Sequence, residues 1–308
     1  MNFPASHPIP SLPPVTRESR PTVTVVICTR NHPRALRSCL EAVHRLDPQP
    51  DDLLVVDNSG GDPDTRTVAD EFQARYICEP IQGLSRARNR ALNESSSEII
   101  AFLDDDAVPT PAWLDQILVP FADPLVASVT GETIAPDAVT PAQPCPSRVV
   151  SQELPQWFEM ANFGGLGFGT NMALRRRFCT GWKVFDERLG RGTPLWIAEE
   201  SHAFAQLISR GYRAVHVPAA IVLHPEKPRD ISKEATTAFG YWLLLFWEFP
   251  GHKLDLLRFI SRRIGRKPLK WPRNPQEPGE VIKSGWRMYL KAGFGGTLLY
   301  LRSRRRIP

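Results

Sequence analysis

At 308 residues, 42% hydrophobic and 23% charged, the chain is long enough to bury a sizeable core, either as one large α/β domain with an appendage or as two modest domains. Its five cysteines (Cys28, Cys39, Cys78, Cys145, Cys179) are odd in number and lack any CxxC spacing, which excludes a disulfide framework or a structural zinc site and fits a reducing compartment. The net charge of +5 hides an asymmetry: residues 253–308 carry fifteen Lys/Arg against three Asp/Glu, a net +12, so the remainder stands at −7.

The first twenty residues are proline-rich without an apolar centre, so no secretory signal is visible and a flexible lead-in over residues 1–21 is expected. TVTVVIC (22–28) is a near-continuous β-branched run, the pattern of a strand buried on both faces. Pro33 can open the next helix, in which Leu36, Leu40 and Val43 keep helical spacing. LLVVD (53–57) is a second buried strand ending in the turn residues Asn-Ser-Gly-Gly. A helix over Asp64–Gln73, a short strand over Arg75–Cys78 and a helix over Ser85–Asn93 follow, and EIIAFL (98–103) leads into Asp104-Asp105-Asp106. This alternation predicts βαβ units and a parallel sheet, whose ligands gather at the carboxyl ends of the strands. Thr29-Arg30, Asp57-Asn58 and the three aspartates all fall at such ends.

VASVTG (126–131) reads as a further strand, followed by a proline-rich loop to about Pro155. GFGTNMALRRR (167–177) opens a second half of mixed strand and helix, and residues 198–210 form a helix with Ala203, Phe204, Leu207 and Ile208 as its apolar stripe and Gly211 placed to end it. AVHVP and AIVLH read as two short strands ending at His224. Beyond Pro225 the composition shifts to an aromatic-rich helix (232–249) and basic, proline-broken sequence. The longest uncharged apolar run, Ala235–Trp247, has 13 residues, whereas a membrane-spanning helix needs roughly 20. A cytoplasmic protein is expected, either free or peripheral on the inner face of the membrane. FGYWLLLFWEF (239–249) and the arginine-rich end suit either packing on the catalytic body or contact with anionic lipid.

Three adjacent carboxylates repel one another, so an unliganded fold gains nothing by gathering them, and a hard divalent cation removes the cost. A solvated acidic turn is the alternative. The pieces VVICTRN, LLVVDNS, GLSRARNRAL, AFLDDDAVPTPAWL, GTNMALRR and FDERLGRGTPLWIAEESHAFAQLISRGYRAVHVPAAIVLH, in that order, resemble glycosyltransferase family 2, the inverting enzymes of GT-A fold. The resemblance spans about Val23 to His224. It implies a doubly wound, mostly parallel sheet with a nucleotide-binding half and an acceptor half over 22–225, and a helical, basic extension over 226–308.

It further implies residue roles. Thr29 and Arg30 would border the base and ribose of a nucleotide-diphosphate sugar, Asp57 would hold the base or ribose, and Arg86 would approach the base or diphosphate. Asp104 would face the ribose and metal side with Asp105 nearby. Asp106 would coordinate Mn²⁺ or Mg²⁺, with His224 as a further ligand. Glu200 stands where most relatives carry the aspartate of a Glu-Asp pair, the general base toward an acceptor hydroxyl, and the helix dipole is expected to keep it ionised. Ordinary caps, a solvated helix face for Arg86 and Arg88, and a core histidine are the alternatives. A nucleotidyltransferase would want a glycine-rich loop where this chain has CTRNHPR, and a dinucleotide-binding dehydrogenase fails for the same reason. The basic tail lacks a recognisable nucleic-acid-binding motif, so no nucleic-acid partner is expected.

Overall fold

The computed structural model describes residues 20–137, 147–225, 231–265, 293 and 295–303. Its contacts divide the chain into two units: residues up to Glu187 with 199–226, and residues 188–198 with those from 227 onward. The sequence reading placed one boundary at 225/226; the segment 188–198 also leaves the first unit and joins the second.

The first unit is built on a nine-stranded sheet. Strand β1 (Val23–Thr29) leads to helix α1 (Pro33–Val43), β2 (Asp52–Asp57), α2 (Pro63–Glu71), β3 (Arg75–Cys78), α3 (Leu84–Glu94) and β4 (Ile99–Asp104). Proline stands in the first turn of both α1 and α2, where its missing N–H costs nothing, and Asp62 caps α2 by accepting from the Thr65 amide at 3.0 Å. β1 pairs in parallel with β2 on one side and β4 on the other, and β2 pairs in parallel with β3. Both faces of this half are covered. Val23, Val25 and Ile27 of β1 share one core with Leu36 and Leu40 of α1 and with Trp113 and Ile117 of α4 (Trp113–Leu118). Phe102 of β4 points to the other face and meets Phe185 edge-on, with ring centroids 5.8 Å apart. Burying each such side chain contributes about 1.5–3 kcal/mol.

The second half of the sheet is mixed. It comprises β5 (Val108–Pro109), β6 (Val126–Ile134), β7 (Arg148–Val150), β8 (Asn171–Arg175) and β9 (Arg213–Leu223), with helices α5 (Trp157–Asn162) and α6 (Glu199–Ser209). β8 runs antiparallel between β4 and β6, β6 and β9 are parallel, and the edge strands β5 and β7 pair antiparallel with β9. Gly211, with φ 89°, follows α6 as expected. The two strands expected around Pro218 are one 11-residue strand. Its pairing with β6 jumps from Gly131↔Val217 to Glu132↔Ile221, so three residues including Pro218 bulge out of the ladder.

Asn171, fully buried at the start of β8, plugs that bulge. Its amide donates to the Glu132 and Ala220 carbonyls, each at 2.8 Å, and its Oδ1 accepts from the Trp113 indole at 2.8 Å. A side chain at Gly131 would not fit here, since a Cβ would lie 2.0 Å from the Ala220 oxygen.

In the second unit, α7 (Ile231–Glu248) and α8 (Lys253–Gly265) follow one another, and residues 295–303 are helical. Gly240 of α7 passes close to Gly296: a Cβ on Gly240 would sit 3.0 Å from the Gly296 oxygen and 2.4 Å from Leu195 Cδ2. Arg188 forms an ion pair with Glu248. Among the described residues, no helix is long and apolar enough to cross a membrane.

Replacing Asn171 by alanine strands a buried indole N–H and two carbonyls. The expected loss is about 3 kcal/mol in urea unfolding; a loss under about 1 kcal/mol would contradict the plug role.

Candidate active site

The carboxyl ends of β1, β2 and β4 are level, with Thr29 opposite Asp57 and Cys28 opposite Asp104 in the ladders. β8 enters from the same end, so Thr170 arrives beside Asp104 and donates its hydroxyl to Oδ2 at 2.7 Å. β5 pairs Val108 with Leu223, which brings the residues after the aspartate triplet against the end of β9, and the His224 amide closes onto the Ile134 carbonyl at 2.9 Å.

Asp104, Asp106 and His224 therefore offer ligand atoms within 4.8 Å of one another. His224 Nε2 lies 2.9 Å from Asp106 Oδ1 and 3.8 Å from Asp104 Oδ2. Two carboxylates and an imidazole suit a hard-to-borderline divalent cation, so the donor set fits Mn²⁺ or Mg²⁺.

The middle aspartate turns away. Asp105 is buried, accepts the Thr29 hydroxyl at 2.7 Å and lies 3.3 Å from His32 Nδ1. Burial raises its pKa, and Thr29 and His32 oppose the rise. Thr29, itself buried, donates to Asp105, whereas Arg30 lies exposed at the rim.

Asp57, expected to hold a base or ribose, is engaged by the loop that follows β2. It is fully buried, with Oδ1 accepting from the Ser59 amide at 2.7 Å and from the Ser59 hydroxyl. Its Oδ2 accepts from the Asp62 amide at 2.8 Å and the Tyr76 hydroxyl at 2.6 Å. Four donors converge on this one carboxylate, so Asp57 anchors the loop after β2. Burial alone would raise its pKa; the bonds from Ser59, Tyr76 and Asp62 outweigh it and hold the pKa below the ordinary value.

Arg86 is not brought to the aspartates. It pairs with Glu187 at 3.0 Å, and its neighbour two positions on, nearly opposite on α3, takes the inner place. Arg88 is 3% exposed; Nη1 donates to Glu199 Oε1 at 2.9 Å and Nη2 lies 3.5 Å from Asp104 Oδ1. Thr170 and Arg88 are the site residues that sequence reasoning missed, although both lie inside the quoted segments GTNMALRR and GLSRARNRAL.

Glu199 and Glu200 open α6, after Ala198 in the left-handed region at φ 70°. Glu199 is buried on Arg88, while Glu200 is half-buried. Burial, then the Glu199 carboxylate, push the Glu200 pKa well above the usual carboxylate range, and Arg88 pulls the other way. The helix dipole does not keep Glu200 at an ordinary acidic pKa. Its contribution is typically about 0.3–1 kcal/mol, less than the 1.4 kcal/mol of one pKa unit.

The model of the family described as glycosyl transferase family 2 matches residues 24–179, which include β1 to β4 and the aspartate triplet. The chain belongs to that family. The pre-mycofactocin glycosyltransferase of Mycobacterium tuberculosis is 30% identical over 136 residues, 42% of this chain and 26% of that protein. An N-acetylglucosaminyltransferase of Sinorhizobium fredii is 23% identical over 238 residues, 71% of this chain and 56% of that one. The matched part thus spans about a quarter of the mycobacterial relative and little more than half of the rhizobial one.

Among solved structures, a Pyrobaculum calidifontis mannosyltransferase with GDP-Man and Mn²⁺ aligns at TM-score 0.54 and 17% identity, over 98% of this chain and 79% of that one. Glucosyl-3-phosphoglycerate synthase of M. tuberculosis, with Mn²⁺, UDP and phosphoglyceric acid, aligns at TM-score 0.53 and 20% identity, over 73% and 78%. These likenesses establish the GT-A fold of this family 2 chain.

The depressed pKa of Asp57 gives a pH test. Ionised Asp57 stabilises the fold above its unfolded pKa of about 3.9, and the contribution is lost as pH falls through the lower folded value. Asp57→Asn should lower the urea midpoint at neutral pH, with the gap to wild type narrowing toward about pH 3. An equal gap at both pH values would contradict this role.

Proposed function

We propose that this chain transfers a sugar from a nucleotide-diphosphate donor to an acceptor hydroxyl, with inversion at the anomeric carbon. The carrying observation is the convergence of Asp104, Asp106 and His224 at strand ends in a family 2 sheet. Half-buried Glu200 belongs to the same constellation, because its neighbour Glu199 is tied through Arg88 to Asp104. That two solved structures of this fold hold Mn²⁺ together with GDP-Man or UDP supports the same donor class.

Asp106 and His224, with Asp104, would hold the cation, which when bound neutralises charge on the diphosphate leaving group. Arg30, exposed at the end of β1, lies open to the nucleotide. Glu200 removes the proton from the acceptor oxygen as that oxygen attacks the anomeric carbon from the face opposite the diphosphate, so one displacement inverts configuration. The acceptor class that suits this base is a sugar, a lipid-linked sugar or a small-molecule alcohol, within cell-surface polysaccharide, glycolipid or natural-product glycoside synthesis.

A thermal-shift panel of nucleoside diphosphates and their sugars, with and without Mn²⁺, tests the donor class; stabilisation by one of them only with the cation is expected. Asp106→Ala and Glu200→Gln should each lower transfer by at least about 10²-fold while keeping the fold. Turnover by either variant near the wild-type rate would remove that residue from the mechanism. A base works only when ionised, so kcat should rise with pH through an elevated Glu200 pKa, and this ascending limb should be absent from the residual activity of Glu200→Gln.

A peripheral lipid contact is also proposed for the second unit. Trp247, Leu254 and Leu257 are exposed, Lys253 lies 4.6 Å from the Phe246 ring centroid and 5.8 Å from that of Trp247, and Arg258 is exposed on α8. Apolar side chains flanked by cations match an anionic bilayer surface. The protein should float with phosphatidylserine-containing vesicles and not with phosphatidylcholine alone, and Trp247→Ser with Leu254→Ser should reduce flotation severalfold. Equal flotation of wild type and variant would end the proposal.

A further inference from the structure

We infer that Arg88 is a positioning residue that sets the acid pair opening α6 against the strand-end carboxylate Asp104. This rests on the functional reading above and assigns the link between its two halves. Asp104 ends β4, 16 residues away in sequence, and Glu199 begins α6, 111 residues away. A single guanidinium reaches both, at 3.5 Å and 2.9 Å.

The surroundings are shaped to that guanidinium. The Phe185 ring lies beneath it, 5.6 Å from the guanidinium carbon to the centroid. Gly169 leaves room for it, because a Cβ there would stand 2.8 and 2.9 Å from the two terminal nitrogens and push the guanidinium aside. The next residue, Thr170, holds the other oxygen of Asp104. The loop before β8 therefore presses on the arginine and on the aspartate it serves, and Asp104 is fixed from both sides.

Stability does not explain such a network. Desolvating charges cancels much of the Coulomb gain, and a buried ion pair is often no better than a well-packed apolar substitute. What the network supplies is registry. Asp104 belongs to the cation corner and Glu199 carries Glu200 beside it, so the planar fork of Arg88 fixes the distance between the donor side and the base. At 3% exposure Arg88 has no face for substrate, and it acts through the acids it holds.

Arg88→Lys keeps the charge but gives a point ammonium that cannot span both acids. In the folded variant kcat should fall about 100-fold, the scale of a misplacement of about 1 Å. KM for the donor that the wild-type enzyme turns over should stay within about threefold. Transfer within about threefold of wild type, or a loss carried wholly by donor KM, overturns the proposal.

A thermal double-mutant cycle provides a readout independent of turnover. Glu199→Gln added to Arg88→Met should cost less than the sum of the two single losses, because the single variant leaves a buried carboxylate unpaired. Additive losses overturn the pairing. Absence of transfer by the wild type with every donor would reject the proposed function, and the cycle would still decide the link.

Discussion

Carboxylates gathered in one poorly solvated corner repel one another, and the local architecture follows from how that repulsion is relieved. Two like charges about 4 Å apart interact by roughly 4 kcal/mol at an effective dielectric near 20, enough to dictate which neighbours are tolerated. Each acid here has a different remedy. Asp105 takes the Thr29 hydroxyl and the nearby His32 ring, Asp104 and Glu199 share Arg88, and Asp106 meets His224. Glu200 carries the residual strain as a raised pKa. The differing surroundings of these acids thus arise from one electrostatic problem solved unevenly.

The sheet supplies the geometry for that uneven solution. Parallel pairing levels the ends of β1, β2 and β4, antiparallel β8 delivers Thr170 and Asn171 to the same level, and β9 runs parallel to β6 to place His224. The covered faces behind these ends are rigid and apolar, so the polar residues in front inherit fixed positions.

Backbone order was legible in the sequence because burial leaves a pattern: TVTVVIC, LLVVD and EIIAFL are apolar on both faces, and turn residues punctuate them. The acidic corner was legible too, since Asp104 and Asp106 stand at a strand end and His224 comes within reach of both. Individual roles were not. Asp57 and Asp106 both end or follow strands, and only the structure shows four donors around Asp57 and the His224 ring beside Asp106. Arg86 and Arg88 differ by two positions on one helix, and sequence does not say which faces inward until the helix phase is known. Pro218 reads as a break between strands, yet the bulge around it is filled by the Asn171 amide, 49 residues before the Ala220 carbonyl it meets, a long-range fact that no local pattern encodes.

The pairing of β5 with β9 involves only Val108–Leu223 and Pro109–Val222, reinforced by Thr110 donating to the Ile221 carbonyl. Pro109 brings no amide proton to it. Those two pairs and the Thr110 bonds tie the residues after the aspartate triplet to the strand that ends beside His224, so the spacing of the acidic loop and the histidine is set by the shortest ladder of the sheet.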